Sequence, residues 1–105
     1  MNRPTTRFLD AVVTTWETVS AASIPSSVAF QSTLKRSADD SKLTIDIQTP
    51  QFTATIAAWE RAYCLDITLY DRATGSGAEL SAGECTSLEQ MQERITLLCE
   101  MLMPK

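Results

Sequence analysis

The chain has 105 residues, 44% of them hydrophobic and 21% charged, with a formal net charge of −4. That size suits one domain with one core, burying roughly two thirds of the surface of the extended chain. The acidic balance argues against direct binding of nucleic-acid backbones or anionic membranes, and the absence of histidine excludes a Ser-His or Cys-His nucleophile pair and any histidine-ligated metal within this chain.

The first predicted element is a helix from Arg3 or Pro4 to Ala22. Phe8, Val12, Trp16 and Val19 recur at spacings of four, four and three, and Leu9 and Val13 widen the stripe. Trp16 lies on that stripe and reads as core. The β-branched run Val12-Val13-Thr14-Thr15 lowers helix propensity, so packing has to hold the element. Pro25, within Ser23-Ile24-Pro25-Ser26-Ser27, ends it.

Two strands follow, Val28 to Leu34 and Lys42 to Thr49. Val28, Phe30 and Leu34 alternate in the first, and Leu43, Ile45 and Ile47 in the second, with a polar hairpin connection from Lys35 to Ser41. Pro50-Gln51 turns the chain into the clearest patterning it holds. Phe52 to Trp59 and Tyr63 to Tyr70 read as neighbouring strands. Phe52, Ala54, Ile56 and Ala58 point one way, and Thr53, Thr55 and Trp59 the other. Tyr63, Leu65, Ile67 and Leu69 share one face, opposite Cys64, Asp66, Thr68 and Tyr70. The polar side of this pair carries two aromatic rings, Trp59 and Tyr70.

Asp71-Arg72-Ala73-Thr74-Gly75 closes the pair, and a short fifth strand is placed around Ala78 to Ser81. Thr86-Ser87-Leu88-Glu89 has the form of a capping box, with Thr86 as cap and Glu89 reaching back. Leu88, Met91, Ile95, Leu98 and Leu102 then follow at helical spacing, and Pro104 stops the helix. Residues 1–105 thus read as a single α+β domain, a two-layer sandwich. An N-terminal helix precedes a four- or five-stranded antiparallel meander, and a C-terminal helix packs on the same sheet face.

Little in the chain suggests catalysis. Cys64, Cys85 and Cys99 are odd in number and form no C-x-x-C pair. With no apolar leader, Asp10, Thr14, Thr15 and Glu17 interrupting the N-terminal run, reduced thiols and a cytoplasmic location are expected. Gly75-Ser76-Gly77 lacks the remainder of a phosphate-binding fingerprint. Cys85, near a helix start, is the one thiol whose position would favour a thiolate. No enzyme activity, cofactor or metal is expected. The residues that invite a function are aromatic and charged ones at strand ends and on the polar sheet face: Trp59, Glu60, Asp66, Tyr70, Asp71 and Arg72. Aromatic and arginine side chains dominate binding hot spots, so these six form a candidate protein-docking surface.

The order of residues in this region also resembles a known family. A strand ending in Trp59-Glu60, a short turn, Cys64 opening a strand that contains Asp66, then Asp71-x-x-Thr74-Gly75 and a terminal amphipathic helix is similar to the TriTu family of bacterial immunity proteins. The likeness covers Phe52 to Gly75 closely and the last helix loosely. It implies a small cytosolic protein, encoded beside a polymorphic toxin, that binds and neutralises the cognate toxin domain, and it carries over to Trp59, Glu60 and Asp71. The expected partner is then a toxin or effector protein in a 1:1 complex. The alternative is a small acidic secretion chaperone that holds an extended effector segment, a class that is often dimeric and would allow a homodimer.

Overall fold

The computed structural model describes residues 7–103. The elements are α1 (Phe8–Ser23), β1 (Gln31–Arg36), β2 (Lys42–Gln48), β3 (Phe52–Trp59), β4 (Cys64–Asp71), β5 (Gly77–Ser81) and α2 (Leu88–Leu102). The five strands form one sheet in the order β1-β2-β3-β4-β5, every neighbouring pair antiparallel. The α+β meander flanked by two helices is the architecture the patterning predicts, with the fifth strand present. The predicted helix start at Arg3 or Pro4 and the stop at Pro104 lie outside the described residues.

Residues directly opposite in an antiparallel ladder share a face. One face of the sheet therefore carries Leu43, Ile45 and Ile47 of β2, Phe52, Ala54, Ile56 and Ala58 of β3, and Leu65, Ile67 and Leu69 of β4, all buried. Leu9, Val12 and Trp16 of α1 and Met91, Ile95, Leu98 and Leu102 of α2 close the same core. On the central strand the in-facing series includes Ala54 and Ala58, flanked by larger residues on both neighbours. The small side chains leave room for α1, which packs against β3. Each fully buried Leu or Ile contributes about 1.5–3 kcal/mol relative to exposure, so this layer contact is the main source of stability.

Both helices start at the β3–β4 turn. The N-terminus of α1 meets Glu60, and the approach to α2 is tied to that turn by Cys85 N–H donating to the Tyr63 carbonyl at 2.7 Å. Their other ends lie beside the β2–β3 turn, where Leu102 meets Val28 and Pro50 around one groove. The helices thus run in the same direction, touching through such pairs as the Thr15 hydroxyl and Met91 Sδ at 3.4 Å.

Four details differ from the sequence reading. The strand predicted from Val28 begins at Gln31, because Val28 N–H closes a turn onto the Pro25 carbonyl. Its residues are exposed from Gln31 to Lys35, since β1 lies at the sheet edge beyond the helix layer; Leu34 is 44% exposed. Tyr63 is a turn residue at φ 48° and not an inward-facing strand residue; it packs edge-on to Phe8, with ring centroids 5.4 Å apart. The cap of α2 is Ser87, one residue later than predicted. Its side chain accepts from Gln90 N–H at 3.1 Å, and the reciprocal arm is Gln90 Oε1 accepting from Thr86 N–H at 3.0 Å, with Glu89 taking no part. The reciprocal logic is that of a capping box, shifted by one position.

Candidate functional site

The face of the sheet away from the helices has no covering layer among the described residues. Its ladder rows are Lys35-Thr44-Ala57-Asp66, Thr33-Asp46-Thr55-Thr68-Glu79, Gln31-Gln48-Thr53-Tyr70-Gly77, and Lys42-Trp59-Cys64. Short hydroxyl side chains fill the middle of it and larger groups the ends. The Thr55 hydroxyl donates to Asp46 at 3.2 Å, so part of the polar surface is already internally satisfied.

Trp59 and Tyr70 both lie on this face. Trp59 is half-buried, with Lys42 Nζ 5.1 Å from its ring centroid. A cation held over an indole at an exposed site contributes about 0.5–1 kcal/mol and keeps the ring in place along the sheet. Tyr70 is 54% exposed. Its ring lies against Gly77 on β5, where an added Cβ would come within 2.5 Å of Tyr70 Cε1. Glycine at 77 therefore makes the seat on which the phenol rests. The two rings are not neighbours. Trp59 is opposite Cys64, and Tyr70 stands six residues further along the same strand, which at about 3.3 Å per residue separates them by about 20 Å. They mark the two ends of the face.

The charged members of the predicted set are held by partners within the chain. Glu60 accepts the backbone N–H of Phe8 at 2.9 Å and of Leu9 at 3.2 Å, and its carboxylate lies 3.5 Å from Arg7 Nε. Arg7, at the cap position of α1, makes no side-chain cap bond of its own, so Glu60 caps that helix from across the fold. Asp71 Oδ1 accepts from Ala73 and Thr74 N–H at 2.9 and 3.3 Å, an Asx turn that leads into the β4–β5 hairpin. Arg72 Nη1 donates to the Thr49 carbonyl at 2.9 Å and fastens the β2–β3 turn. Asp66 Oδ1 accepts Gly83 N–H at 3.0 Å and pins the loop after β5. Of the six residues, the structure leaves Trp59 and Tyr70 as the side chains whose outward surfaces are least engaged.

Carboxylates are distributed differently from the rings. The outer sheet face carries Lys35 and Lys42 against Asp46, Asp66 and Glu79. The helices carry Asp10 and Glu17 in α1, of which Asp10 pairs with Arg36 of β1, and Glu89, Glu93 and Glu100 against Arg94 in α2. Acidity thus concentrates on the helix layer.

At the opposite end from the β2–β3 turn, a chain of ions ties α1 to the β1–β2 hairpin. Arg36 Nη1 meets Asp10 at 2.8 Å, Arg36 Nε meets Asp40 at 3.1 Å, and Arg7 reaches Asp40 at 3.3 Å. The hydrogen bond to Asp10 raises the Arg36 pKa above its ordinary value. At the hairpin tip, hydrogen bonds from the Ser41 and Ser37 hydroxyls and from Ser41 N–H hold the exposed Asp39 carboxylate down to about 2. A polar recess of about 490 Å³ opens among Arg7, Asp39, Asp40, Ser41, Glu60 and Arg61, in which Arg7 is paired with Asp40 and Glu60, and Asp39 with Ser41. A second recess of about 360 Å³, between the α1–β1 connection and the β2–β3 turn, is lined by Ser27, Val28, Ala29, Thr49, Pro50, Gln51 and Leu102 and has no ionisable side chain.

The thiols are separate. Cys85 and Cys99 are buried, Cys64 is half-buried, and all three are free. Burial, with a smaller contribution from Glu100, pushes the Cys99 thiol up to about 11, the opposite of what a nucleophile needs. Cys85 Sγ donates to the Ser87 carbonyl at 3.6 Å. Among the described residues no group of three acidic or thiol side chains could hold a metal ion, and no helix is long and apolar enough to cross a membrane. Sequence reasoning missed Lys42 and Gly77, because the pairings that bring them to Trp59 and Tyr70 join different strands. Compared with family models, with curated proteins and with solved structures, the chain matches none of them.

Proposed function

We propose that this chain is a binding protein of the immunity type, which neutralises a cognate toxin domain in the cytoplasm by laying the uncovered face of its sheet over the toxin's active site or substrate channel. One observation carries the reading. The helix-free face holds two aromatic side chains at its ends, Trp59 over Lys42 and Tyr70 over Gly77, on a background of short hydroxyl residues. Aromatic anchors on an otherwise even, polar surface suit docking against another folded protein, because they bury large area at low conformational cost. The likeness of Trp59-Glu60, Cys64, Asp66 and Asp71-x-x-Thr74-Gly75 to the TriTu pattern supports the choice of a toxin as partner. Within this reading Trp59 and Tyr70 make the contact, and Glu60, Asp66, Asp71 and Arg72 hold the turns and helix that frame the face.

The test is co-purification with the toxin domain encoded by the adjacent reading frame, followed by titration calorimetry. A 1:1 complex in which Trp59→Ala and Tyr70→Ala each weaken affinity supports the proposal. Full affinity in the Trp59→Ala, Tyr70→Ala double variant would sink it.

A further inference from the structure

The sheet has two edges, and they are built differently. β5 is short, and its pairing with β4 is broken by a register shift between Ile67 and Thr68. β1 is regular over its whole length, pairing Gln31 with Gln48 through Arg36 with Leu43 without interruption. Among the described residues no strand pairs with its other side.

The direction of the free hydrogen-bonding groups follows from one bond. Ser37 N–H donates to the Lys42 carbonyl at 2.9 Å, so residue 37 points its amide at β2. Backbone groups alternate sides along an antiparallel strand. Residues 31, 33 and 35 therefore also face β2, and the N–H and C=O groups of Ser32, Leu34 and Arg36 point outward to the open edge. On the helix-side face of this strand stand the side chains of the same three residues, opposite Ile47, Ile45 and Leu43. Leu34, at the centre, is 44% exposed, an apolar side chain between Ser32 and Arg36 on the same face of its strand.

We infer that β1 pairs with β1 of a second copy of this chain, antiparallel and centred on Leu34, to make a continuous two-fold sheet. An exposed, regular edge is a template for another strand, and this strand complements itself. With Leu34 opposite Leu34 of the second copy, the outward groups of residues 32, 34 and 36 all find partners, giving about six interchain hydrogen bonds. The exposed leucines meet at the axis. Lys35 falls opposite Thr33, and Arg36 opposite Ser32, so each long cation lies beside a short hydroxyl residue and no like charges stand directly opposite, an arrangement that would otherwise be destabilising. Arg36 is in addition neutralised by Asp10 and Asp40 of its own chain. The contact is isologous, and so closes as a dimer and does not propagate as a fibre. One strand pair is a small interface, below the roughly 1,200 Å² of stable complexes, so micromolar rather than nanomolar association is expected. The inference is independent of the toxin-binding reading, which uses the sheet face and not its edge.

The test is sedimentation equilibrium over protomer concentrations of roughly 5 to 500 µM. The native chain should pass from monomer toward dimer. Leu34→Pro removes one outward N–H and none that faces β2, so the strand should stay in the sheet while dimerisation weakens at least tenfold. Circular dichroism checks the fold. Leu34→Glu keeps the N–H and places two carboxylates at the axis, and should have the same effect. Amide exchange at Ser32, Leu34 and Arg36 should slow with concentration. A native chain that stays monomeric at the highest concentration overturns the inference, as does a dimer that survives both substitutions.

Discussion

The Glu60 carboxylate sits at the first turn of α1, accepting Phe8 N–H at 2.9 Å although 52 residues separate the two. A side chain at the end of β3 thereby does the work usually done by the residue just before a helix. Caps of this kind contribute about 0.5–2 kcal/mol. Glu60→Ala should lower unfolding free energy by about 1–2 kcal/mol in urea denaturation, and Glu60→Gln by less, since it keeps one acceptor. Neither should alter partner affinity measured well below the melting temperature, because the group is turned into its own helix end.

Trp59 and Tyr70, about 20 Å apart along β4, should act independently in partner binding. Each truncation to alanine should cost about 2 kcal/mol if the ring is an anchor. The double variant should lose the sum of the two to within about 0.5 kcal/mol. Calorimetric titration of the four proteins checks this, and a strong departure from additivity would mean that a single partner group spans both sites or that one ring holds the other's surroundings in place.

Gly77 and Tyr70 should be strongly coupled. A methyl at position 77 collides with the phenol ring, so Gly77→Ala should swing Tyr70 out and destabilise the hairpin by about 1 kcal/mol. In a Tyr70→Ala background the same substitution should be close to neutral. Thermal melts of the cycle read the coupling, and the Tyr70 ring resonances report the displacement directly.

Cys99 gives alkaline pH a defined effect. Burial raises its thiol from 9.0 in the unfolded chain to about 11 in the fold. A raised folded pKa means that this contribution to stability is fully present below pH 9 and fades as pH climbs toward 11, where the unfolded chain gains from ionising and the folded chain does not. Cys99→Val should flatten the alkaline limb of the stability profile, measured by denaturant midpoint at pH 8 and pH 10.5. In the native state at neutral pH, a maleimide should label Cys64 ahead of Cys85 and Cys99, which are buried.

How much could be read from residues alone depended on how far apart the interacting groups lie in the chain. The alternation of Phe52, Ala54, Ile56 and Ala58 is local, and β3 runs from Phe52 to Trp59 as the period implies. The Asx turn at Asp71 is also local, signalled by the Asp, Thr and Gly that follow a strand. Glu60 and Arg72, in contrast, look like free strand-end charges because their partners, Phe8 and Thr49, come from other elements. The cap of α2 moved from Thr86 to Ser87 because both residues offer a hydroxyl and either could open the box; the Gln90 side chain decided it. Leu34 fits a buried pattern yet sits at an edge, since alternation reports which side a residue faces and not whether anything lies there.

The uneven placement of carboxylates has a bearing on how an encounter with another molecule would proceed. With Glu17, Glu89, Glu93 and Glu100 on the two helices against Arg94, and Asp10 already paired with Arg36, a cationic body approaching from a distance is drawn toward the helical back of the molecule, while the indole and phenol look the opposite way. Long-range guidance and short-range adhesion are therefore assigned to opposite hemispheres. A partner that seats on the rings has to arrive by diffusion with little electrostatic help, and its capture rate should change only slightly as salt is added.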